Sequence, residues 1–448
     1  MTKSLLTVAA ALIVTAGHIP ARQAAPRQTF SRISAADAHN PVEVSIAIDP
    51  ANPDNVVAVS YQQGLSAGPR TSDFIYTSFD GGRTWTSQAA ANPDARTQGD
   101  PAVTFDDAGI AYRSNIAFVG IRQARPVRAV NGIFASRSND GGRSWLAPVA
   151  VVDHLNTVLP FEDKPWLAAT KTASGQSHVY LAWTRFDEYG SQAADCRTQI
   201  VFSRSIDGGR TYAMPFRVSD AQGDCRDSDN TVEGAVPSVG PAGEIYLAWA
   251  GPAGLVFDVS RDAGRTFGTD VKISDQPGGW DMDVAGIDRG NGMPVTGVDK
   301  SRGTFRGSIY VNWIDARHGD PDVFVSASRD GGKTWQPPVR VNDDPRGNGK
   351  IQFFTWMAVD PADGSVNVLF YDRRAQTGTG TAVTLARSTD GGRTFVNYPV
   401  DRPAFQTFPT PAFGDYIGVA AHGGRVIGAF SYFVDTRTIA LGSVRFDF

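Results

Sequence analysis

Three short segments in the second half of the chain share one pattern, in which an aromatic residue is followed by x-Asp-x-Arg. They read WIDAR (Trp313–Arg317), FYDRR (Phe370–Arg374) and FVDTR (Phe433–Arg437). An arginine presents a planar guanidinium that can hold a carboxylate through two parallel hydrogen bonds. Arg317, Arg374 and Arg437 can therefore bind one acidic ligand if the fold brings them together. The alternative is that each Asp pairs with the Arg two residues later, on the same side of a strand end.

A second candidate set is acidic. Glu43, Asp100 and Asp415 lie at matching positions before the apolar segments SIAID, AVTFD and GVAAH. Three further residues lie at or within one residue of that position in other units, namely Lys164, Glu233 and Asp283. Carboxylates that share one site repel each other, so one of them can stay protonated as a general acid, or all can bind calcium. The alternative role is to cap the amides of surrounding loops.

The elements that position these residues are indicated by an octapeptide of the form Ser-x-Asp-(Gly/Ala)-Gly-(Arg/Lys)-(Ser/Thr)-aromatic. It occurs six times, with its acidic residue at Asp80, Asp140, Asp207, Asp262, Asp330 and Asp390. The carboxylate can accept hydrogen bonds from turn amides, the glycines supply positive φ, and the aromatic ring returns to the core. Each octapeptide is therefore predicted to be the tip of a β-hairpin, repeated about every 60 residues.

Strands flank each predicted tip. Before it lie segments such as HVYLAW (His178–Trp183), and after it lie alternating segments typical of half-exposed edge strands, such as DVKISD (Asp270–Asp275). Three strands follow the sixth tip, and the N-terminal segment FSRISAAD (Phe30–Asp37) can supply the fourth. The sequence thus predicts an all-β, seven-bladed β-propeller closed by strands from both ends of the chain, with six blades as the alternative.

The octapeptides resemble the Asp-box (BNR) repeats of the sialidase/neuraminidase superfamily of propellers. This resemblance implies a sialidase-like glycoside hydrolase whose site lies on the face opposite the Asp boxes. It also implies three arginines around the sugar carboxylate, the role assigned above to Arg317, Arg374 and Arg437. Sialidases use a Tyr nucleophile assisted by Glu, with an Asp as acid/base, and the candidates here are Tyr371, Glu233 and Asp100, with Tyr416 and Tyr432 as competing phenols.

Composition excludes other classes. The net charge is −4 and no basic run is interleaved with aromatic residues, so a nucleic-acid partner is not expected. The histidines lack the spacing of a zinc site. Residues 4–16 form an apolar stretch after Lys3, which indicates a secretory signal peptide within a leader of residues 1–26. No later segment is apolar and long enough to span a membrane.

Export places the two cysteines, Cys196 and Cys225, in an oxidising compartment. A disulfide between them is predicted, with two free thiols as the alternative.

These observations predict a single propeller domain over residues 27–448, a monomer that is secreted or periplasmic. It would act on an acidic sugar of a glycan, with Glu43 and Asp415 contacting the substrate, no required cofactor, and calcium as an option. The alternative is a non-catalytic propeller that binds a glycan or a protein on the same face. The Arg-Ile-Pro tripeptide typical of the sialidase family is absent, which favours this alternative.

Overall fold

The computed structural model describes residues 25–64, 73–121, 123 and 125–448. The predicted signal peptide falls almost entirely on residues 1–24 and so lies outside the described residues. Within them, seven antiparallel sheets form the blades of a β-propeller, and each blade has four strands from its inner to its outer edge. The prediction of seven blades is confirmed. The first strands of neighbouring blades contact one another all round the ring, so they enclose a central channel.

Blades 1 to 3 follow the order of the chain after an initial strand, β1, which belongs to the last blade. Strand β1 spans Arg27–Arg32. Blade 1 consists of β2 Pro41–Ile48, β3 Val56–Gln62, β4 Asp73–Ser78 and β5 Thr86–Ala89. After a short 3-10 turn at Pro93–Ala95, blade 2 consists of β6 Thr97–Phe105, β7 Ala111–Val119, β8 Val130–Ser138 and β9 Val149–Leu155. Blade 3 consists of β10 Phe161–Lys171, β11 Ser177–Phe186, β12 Thr198–Ser205 and β13 Phe216–Arg217.

Blades 4 to 7 continue in the same way, with one inserted hairpin. Blade 4 consists of β14 Glu233–Val239, β15 Ile245–Gly251, β16 Gly254–Ser260 and β17 Val271–Ser274. The inserted hairpin, β18 Asp281–Met282 and β19 Gly290–Asn291, is a separate sheet between blades 4 and 5. Blade 5 consists of β20 Val295–Val298, β21 Ile309–Asp315, β22 Asp322–Ser328 and β23 Val339–Arg340. Blade 6 consists of β24 Gln352–Val359, β25 Val366–Asp372, β26 Gly380–Ser388 and β27 Val396–Pro399, with β28 Phe405–Gln406 added beside β26. Blade 7 consists of β29 Gly418–His422, β30 Arg425–Phe433 and β31 Ile439–Asp447, completed by β1.

The two ends of the described chain close the ring inside blade 7. Strand β1 pairs antiparallel with β31, from Arg27 opposite Asp447 to Arg32 opposite Gly442. The predicted closing segment began at Phe30, whereas the strand begins three residues earlier and ends at Arg32. Ile33 then enters the core between blades 7 and 1, at 5% exposure, so closure rests on both backbone pairing and apolar packing.

The six octapeptide turns, defined by the motif given above, use one hydrogen-bonding scheme. In the fifth turn, Ser328 Oγ donates to Asp330 Oδ1 at 2.8 Å, and Thr334 Oγ1 donates to Asp330 Oδ2 at 2.6 Å. The other five turns repeat both bonds. Side-chain and backbone hydrogen bonds from Thr334 lower the pKa of Asp330 to about 2, so this carboxylate serves the turn.

Arginines connect these turns from blade to blade. In five neighbouring pairs of blades, an arginine near the end of a third strand donates to the backbone carbonyl of the fourth octapeptide residue in the next blade. The pairs are Arg137 with Gly208, Arg204 with Ala263, Arg261 with Gly331, Arg329 with Gly391 and Arg445 with Gly81. On the face that carries the octapeptide turns, these contacts therefore hold neighbouring blades together. A site at the central channel is accordingly sought on the opposite face.

Candidate active site

The first strands of five blades are bulged at the same level of the channel. The pairing with the second strand shifts there by a residue or more in blades 1, 2, 3, 4 and 6. At these bulges Glu43, Asp100, Lys164 and Phe354 have φ values of 56°, 47°, 50° and 44°. Such left-handed backbone is costly for residues other than glycine, and it persists where the surrounding structure demands it. The bulges change the direction of the strands and place Glu43, Asp100 and Lys164 at the mouth of the channel, whereas Phe354 packs in the core.

A cavity of about 490 Å³ opens at this mouth, on the face opposite the octapeptide turns. Its polar lining includes Glu43, Tyr61, Asp100, Asp163, Lys164, Tyr189, Asp288, Arg289 and Asp415. The structure therefore brings together Glu43, Asp100 and Asp415, the three residues that the aligned first strands placed at one mouth. Asp163, Tyr61, Tyr189 and Arg289 were not singled out from the sequence.

Two cations bind the acidic residues across the ring. Lys164 Nζ lies 3.0 Å from Asp415 Oδ2 and 3.7 Å from Asp100 Oδ1. Arg289 contacts the same Asp415 oxygen at 3.0 Å and Asp227 Oδ2 at 2.8 Å. Blades 2, 3 and 7 and the inserted hairpin before blade 5 thus meet in one charge network, in which side-chain burial strengthens every interaction.

Glu43 and Asp415 are driven to opposite protonation states. Burial, followed by the charges of Asp100 and Asp415, raises the pKa of Glu43 well above its ordinary value. Burial also opposes ionisation of Asp415, but Arg289 and Lys164 outweigh it and lower the pKa of Asp415 to about 2. The cavity therefore holds a carboxyl that can donate a proton beside a carboxylate that stays ionised.

Glu233 and Asp163 extend the acidic cluster around Lys164. Glu233 is 0% exposed, and neither of its carboxyl oxygens has a hydrogen-bond partner among the described residues. Burial and the charge of Asp227 raise its pKa well above the ordinary range, and burial with the charge of Asp100 does the same for Asp163. The protonated form of both carboxyl groups is therefore favoured. Asp163 lines the cavity, whereas Glu233 is set back from the lining.

A phenol and a carboxylate form a further pair in the cavity. Tyr189 donates its hydroxyl hydrogen to Asp227 Oδ2 at 2.7 Å. Cys196 and Cys225 form a disulfide between the loops that carry these two residues, with Cα atoms 5.7 Å apart. The disulfide packs with Phe161 and with the ring of Tyr189, so it braces this wall of the cavity.

Tyr371, predicted as the nucleophile, does not reach the cavity. Its ring is 1% exposed, stacks on Phe353 at 4.9 Å and donates its hydroxyl hydrogen to the Ser431 carbonyl at 2.6 Å. Its position corrects the prediction, because Tyr371 packs in the core between blades 6 and 7. Tyr371 lies within β25, the second strand of blade 6, and is absent from the cavity lining.

The three predicted arginines are also spread over separate places. Arg317 binds Asp315 of its own strand end, with Nε 2.9 Å from Oδ1, and reaches Ser274 in the outer strand of blade 4 at 3.1 Å. Arg374 pairs with Asp372 at 2.5 Å and contacts Asn397 in the outer strand of its own blade. Arg437 is exposed. Arg317 and Arg374 are thus held at the outer edges of blades, as the local-pairing alternative predicted, and the convergence on one ligand is not found.

The inserted hairpin explains two differences from the sequence alignment. Asp283, aligned with the first strands, is exposed on this insertion, while the first strand of blade 5 is Val295–Val298. Arg289 lies beside β19 of the same insertion. No repeat signal marks the insertion, so the cavity arginine had no sequence pattern by which it could be found.

Aromatic rings close the channel below the cavity. Trp166 lies 4.3 Å from Trp356 and 5.2 Å from Tyr416, measured between ring centroids, and Lys164 Nζ lies 5.6 Å from the centre of the Tyr416 ring. Trp166 and Trp280 are 8% and 1% exposed. Trp166 and Trp356 therefore form a floor, and Trp280 packs in the core.

Within the described ranges, no group of three or more His, Cys, Asp or Glu side chains is arranged to hold a metal ion. The same residues include no helix long and apolar enough to cross a membrane.

Comparison with known proteins gives a structural likeness only. No family profile matches the chain, and no curated protein matches its sequence. An ulvan lyase of a polysaccharide lyase family has a TM-score of 0.50 and 14% identity, with 93% of this chain and 95% of that chain covered. The intramolecular trans-sialidase from Ruminococcus gnavus has a TM-score of 0.47 and 14% identity, covering 93% and 97%. A Hadza microbial sialidase has a TM-score of 0.49 and 16% identity, covering 78% and 66%. At these identities the ulvan lyase supports the propeller fold alone.

Proposed function

We propose that the chain is a glycan-acting enzyme, a glycoside hydrolase that cleaves next to an acidic sugar. The observation that carries this proposal is the pairing of Glu43 and Asp415 in one open cavity with pKa values shifted in opposite directions. Glycoside hydrolysis needs a proton donor at the leaving oxygen and a group that stabilises or attacks the opposite face of the sugar. The sialidase and lyase propellers named above are consistent with a glycan substrate.

Glu43 is the proposed general acid, because its protonated form is favoured by burial. Tyr189 is the proposed nucleophile and replaces Tyr371 in that role. Its oxygen attacks the anomeric carbon while Asp227 takes the phenol proton, the glycosidic bond breaks, and Glu43 gives its proton to the leaving oxygen. Water then attacks the anomeric carbon and breaks its bond to Tyr189. The hydroxyl stays on the sugar, the proton of the water goes to Glu43, and Asp227 returns its proton to the Tyr189 oxygen. Asp100, first assigned to catalysis, pairs with Lys164 in this scheme, and Glu233, also first assigned to catalysis, takes no part in the reaction.

The substrate's carboxylate is assigned to Lys164 and Arg289. These are the cations that line the cavity in the described part of the chain. With Glu43 and Asp163 protonated, fewer negative charges oppose Lys164 and Arg289, so the repulsion of an acidic sugar is reduced. Arg317, Arg374 and Arg437 are omitted from this binding role because of their positions.

The remaining parts of the proposal concern where the protein works. The leader of residues 1–26 and the disulfide are consistent with a secreted or periplasmic protein. A glycan outside the cytoplasm is the proposed partner, the protein is proposed to act as a monomer, and no cofactor enters the scheme.

The test is release of a fluorophore from an aryl sialoside, an aryl uronide and neutral aryl glycosides, each with calcium and with chelator. Glu43→Gln and Tyr189→Phe should each lower kcat on the cleaved substrate by about 10²-fold or more. Glu188→Gln is the matched control, because Glu188 is exposed in the loop beside Tyr189 and lies outside the cavity lining. Full activity of both cavity variants would refute the assignment.

The second candidate is a non-catalytic propeller that binds an acidic glycan in the same cavity. It is favoured by the pKa of Tyr189, which burial raises above its ordinary value and which keeps the phenol protonated. No cleavage of any glycoside, together with glycan-array binding that Lys164→Gln abolishes, would establish this candidate instead.

A further inference from the structure

A second cavity, of about 580 Å³, opens on the face of the octapeptide turns between blades 3, 4 and 5. Four cationic side chains line it, namely Lys171, Arg261, Lys300 and Arg306. Lys171, Arg261 and Arg306 are exposed, and Lys300 is half-buried. The proposed hydrolysis uses none of these residues, because the channel floor separates the two faces.

The acidic residues of this second cavity are already engaged. Asp107 accepts from Lys300 Nζ at 2.9 Å and from Thr170 Oγ1 at 2.7 Å. Asp262 accepts from Thr266 Oγ1 at 2.7 Å within its own turn. Four cationic side chains therefore face two carboxylates, which leaves an excess of positive charge at this cavity.

The two arginines are fixed in place with donors to spare. Arg261 donates through one terminal nitrogen to the Gly331 carbonyl at 3.0 Å. Arg306 donates through one terminal nitrogen to the Ser301 carbonyl at 2.8 Å. Within the described residues neither guanidinium uses its second terminal nitrogen, so each presents a pre-oriented donor for an oxyanion.

His178 gives an independent sign of positive potential here. Its ring lines the cavity, with Nδ1 3.1 Å from the Tyr180 hydroxyl. Burial, with the charges of Arg204 and Arg265, lowers its pKa below the ordinary value. A bound anion would oppose this effect.

We propose that the second cavity binds sulfate or carboxylate groups of an acidic polysaccharide and holds the chain on the face opposite the candidate active site. The volume accommodates sugar units, and the charge excess matches a polyanion. Nucleic acid is the less suitable polyanion, because binding of single strands relies on exposed aromatic rings and Tyr180 is 1% exposed. Binding here is independent of whether the other face is catalytic.

The experiment measures binding of the full chain to dextran sulfate, polygalacturonate, neutral dextran and single-stranded DNA at low and at physiological salt. Lys171→Glu should weaken binding of the acidic polysaccharides at least about threefold. The double variant, Lys171→Glu together with Arg306→Glu, should weaken it at least about threefold for each substitution. Arg346→Glu is the matched control, since Arg346 is an exposed arginine on the opposite face. Asp415→Asn should bind normally, which separates this result from any failure of the proposed hydrolase.

A second measurement follows the His178 ring by NMR during a pH titration with inorganic sulfate. Sulfate should raise the pKa of His178 in the wild-type protein, and this increase should be smaller in Lys171→Glu. The same spectra show whether the variant is folded. Selectivity for dextran sulfate or for polygalacturonate would identify the oxyanion. Equal losses in Arg346→Glu, equal binding of DNA, or an unchanged His178 would overturn the proposal.

Discussion

Lys164 Nζ lies 3.0 Å from Asp415 Oδ2, although 251 residues separate them in the chain. The contact joins blade 3 to blade 7 across the mouth of the channel, and it holds Asp415 ionised while Glu43 keeps its proton. A neutral donor and an ionised carboxylate therefore coexist within one cavity. Arg289 and Lys164 outweigh burial at Asp415, whereas burial and the neighbouring carboxylates outweigh the charge of Lys164 at Glu43.

The pH dependence of cleavage should report on Glu43. Activity is expected to fall as pH rises through the elevated pKa of Glu43, because the general acid then loses its proton. Among the neighbouring charges, that of Asp100 raises this pKa most, so Asp100→Asn should move the alkaline limb of the kcat/KM profile to lower pH. An alkaline limb that stays in place, or moves upward, would contradict the assignment.

Arg317 should contribute to stability and have little effect on glycan binding. Its partner Asp315 is 1% exposed, so Arg317→Ala leaves a buried charge without its cation and should cost about 3 kcal/mol in the free energy of unfolding. Arg437→Ala is the control, as Arg437 is exposed, and its unfolding midpoint in urea should match that of the wild type. A loss of glycan binding in both variants, at normal stability, would restore the arginine cluster.

The disulfide should stabilise the fold and the Tyr189 wall together. Cys196 and Cys225 close a loop with a sequence separation of 29, so the double serine variant should lose about 3 to 4 kcal/mol of unfolding free energy. Since both loops carry cavity residues, kcat should fall in the folded variant as well. Normal kcat in the double variant would show that the wall is held without the disulfide.

The octapeptide turns should make the protein sensitive to strong acid. The pKa of Asp330 is about 2 against an ordinary value of 3.8, so its stabilising effect is present above about pH 4 and is lost as pH falls towards 2. Asp330→Asn should flatten the dependence of unfolding free energy on pH between 4 and 2. Urea unfolding at several pH values measures this, and an unchanged slope would refute it.

The sequence by itself determined the fold and the level at which the site lies. Six octapeptides with local hydrogen bonding fix the hairpin tips, and the alignment of first strands placed Glu43, Asp100 and Asp415 together. The sequence reveals both features because the tip and the first strand recur at the same place in every repeated unit.

Only the tertiary structure decided which groups join these three residues. Arg289 lies on an insertion outside the repeat, and Tyr189 and Asp227 lie on loops whose meeting depends on the ring and the disulfide. The same limit explains Arg317 and Tyr371, since a sequence pattern gives the position along a blade but not whether a neighbouring blade supplies a nearer partner. The neighbouring blades supply Ser274 to Arg317 and Ser431 to Tyr371, and these contacts help to hold Arg317 at a blade edge and Tyr371 in the core.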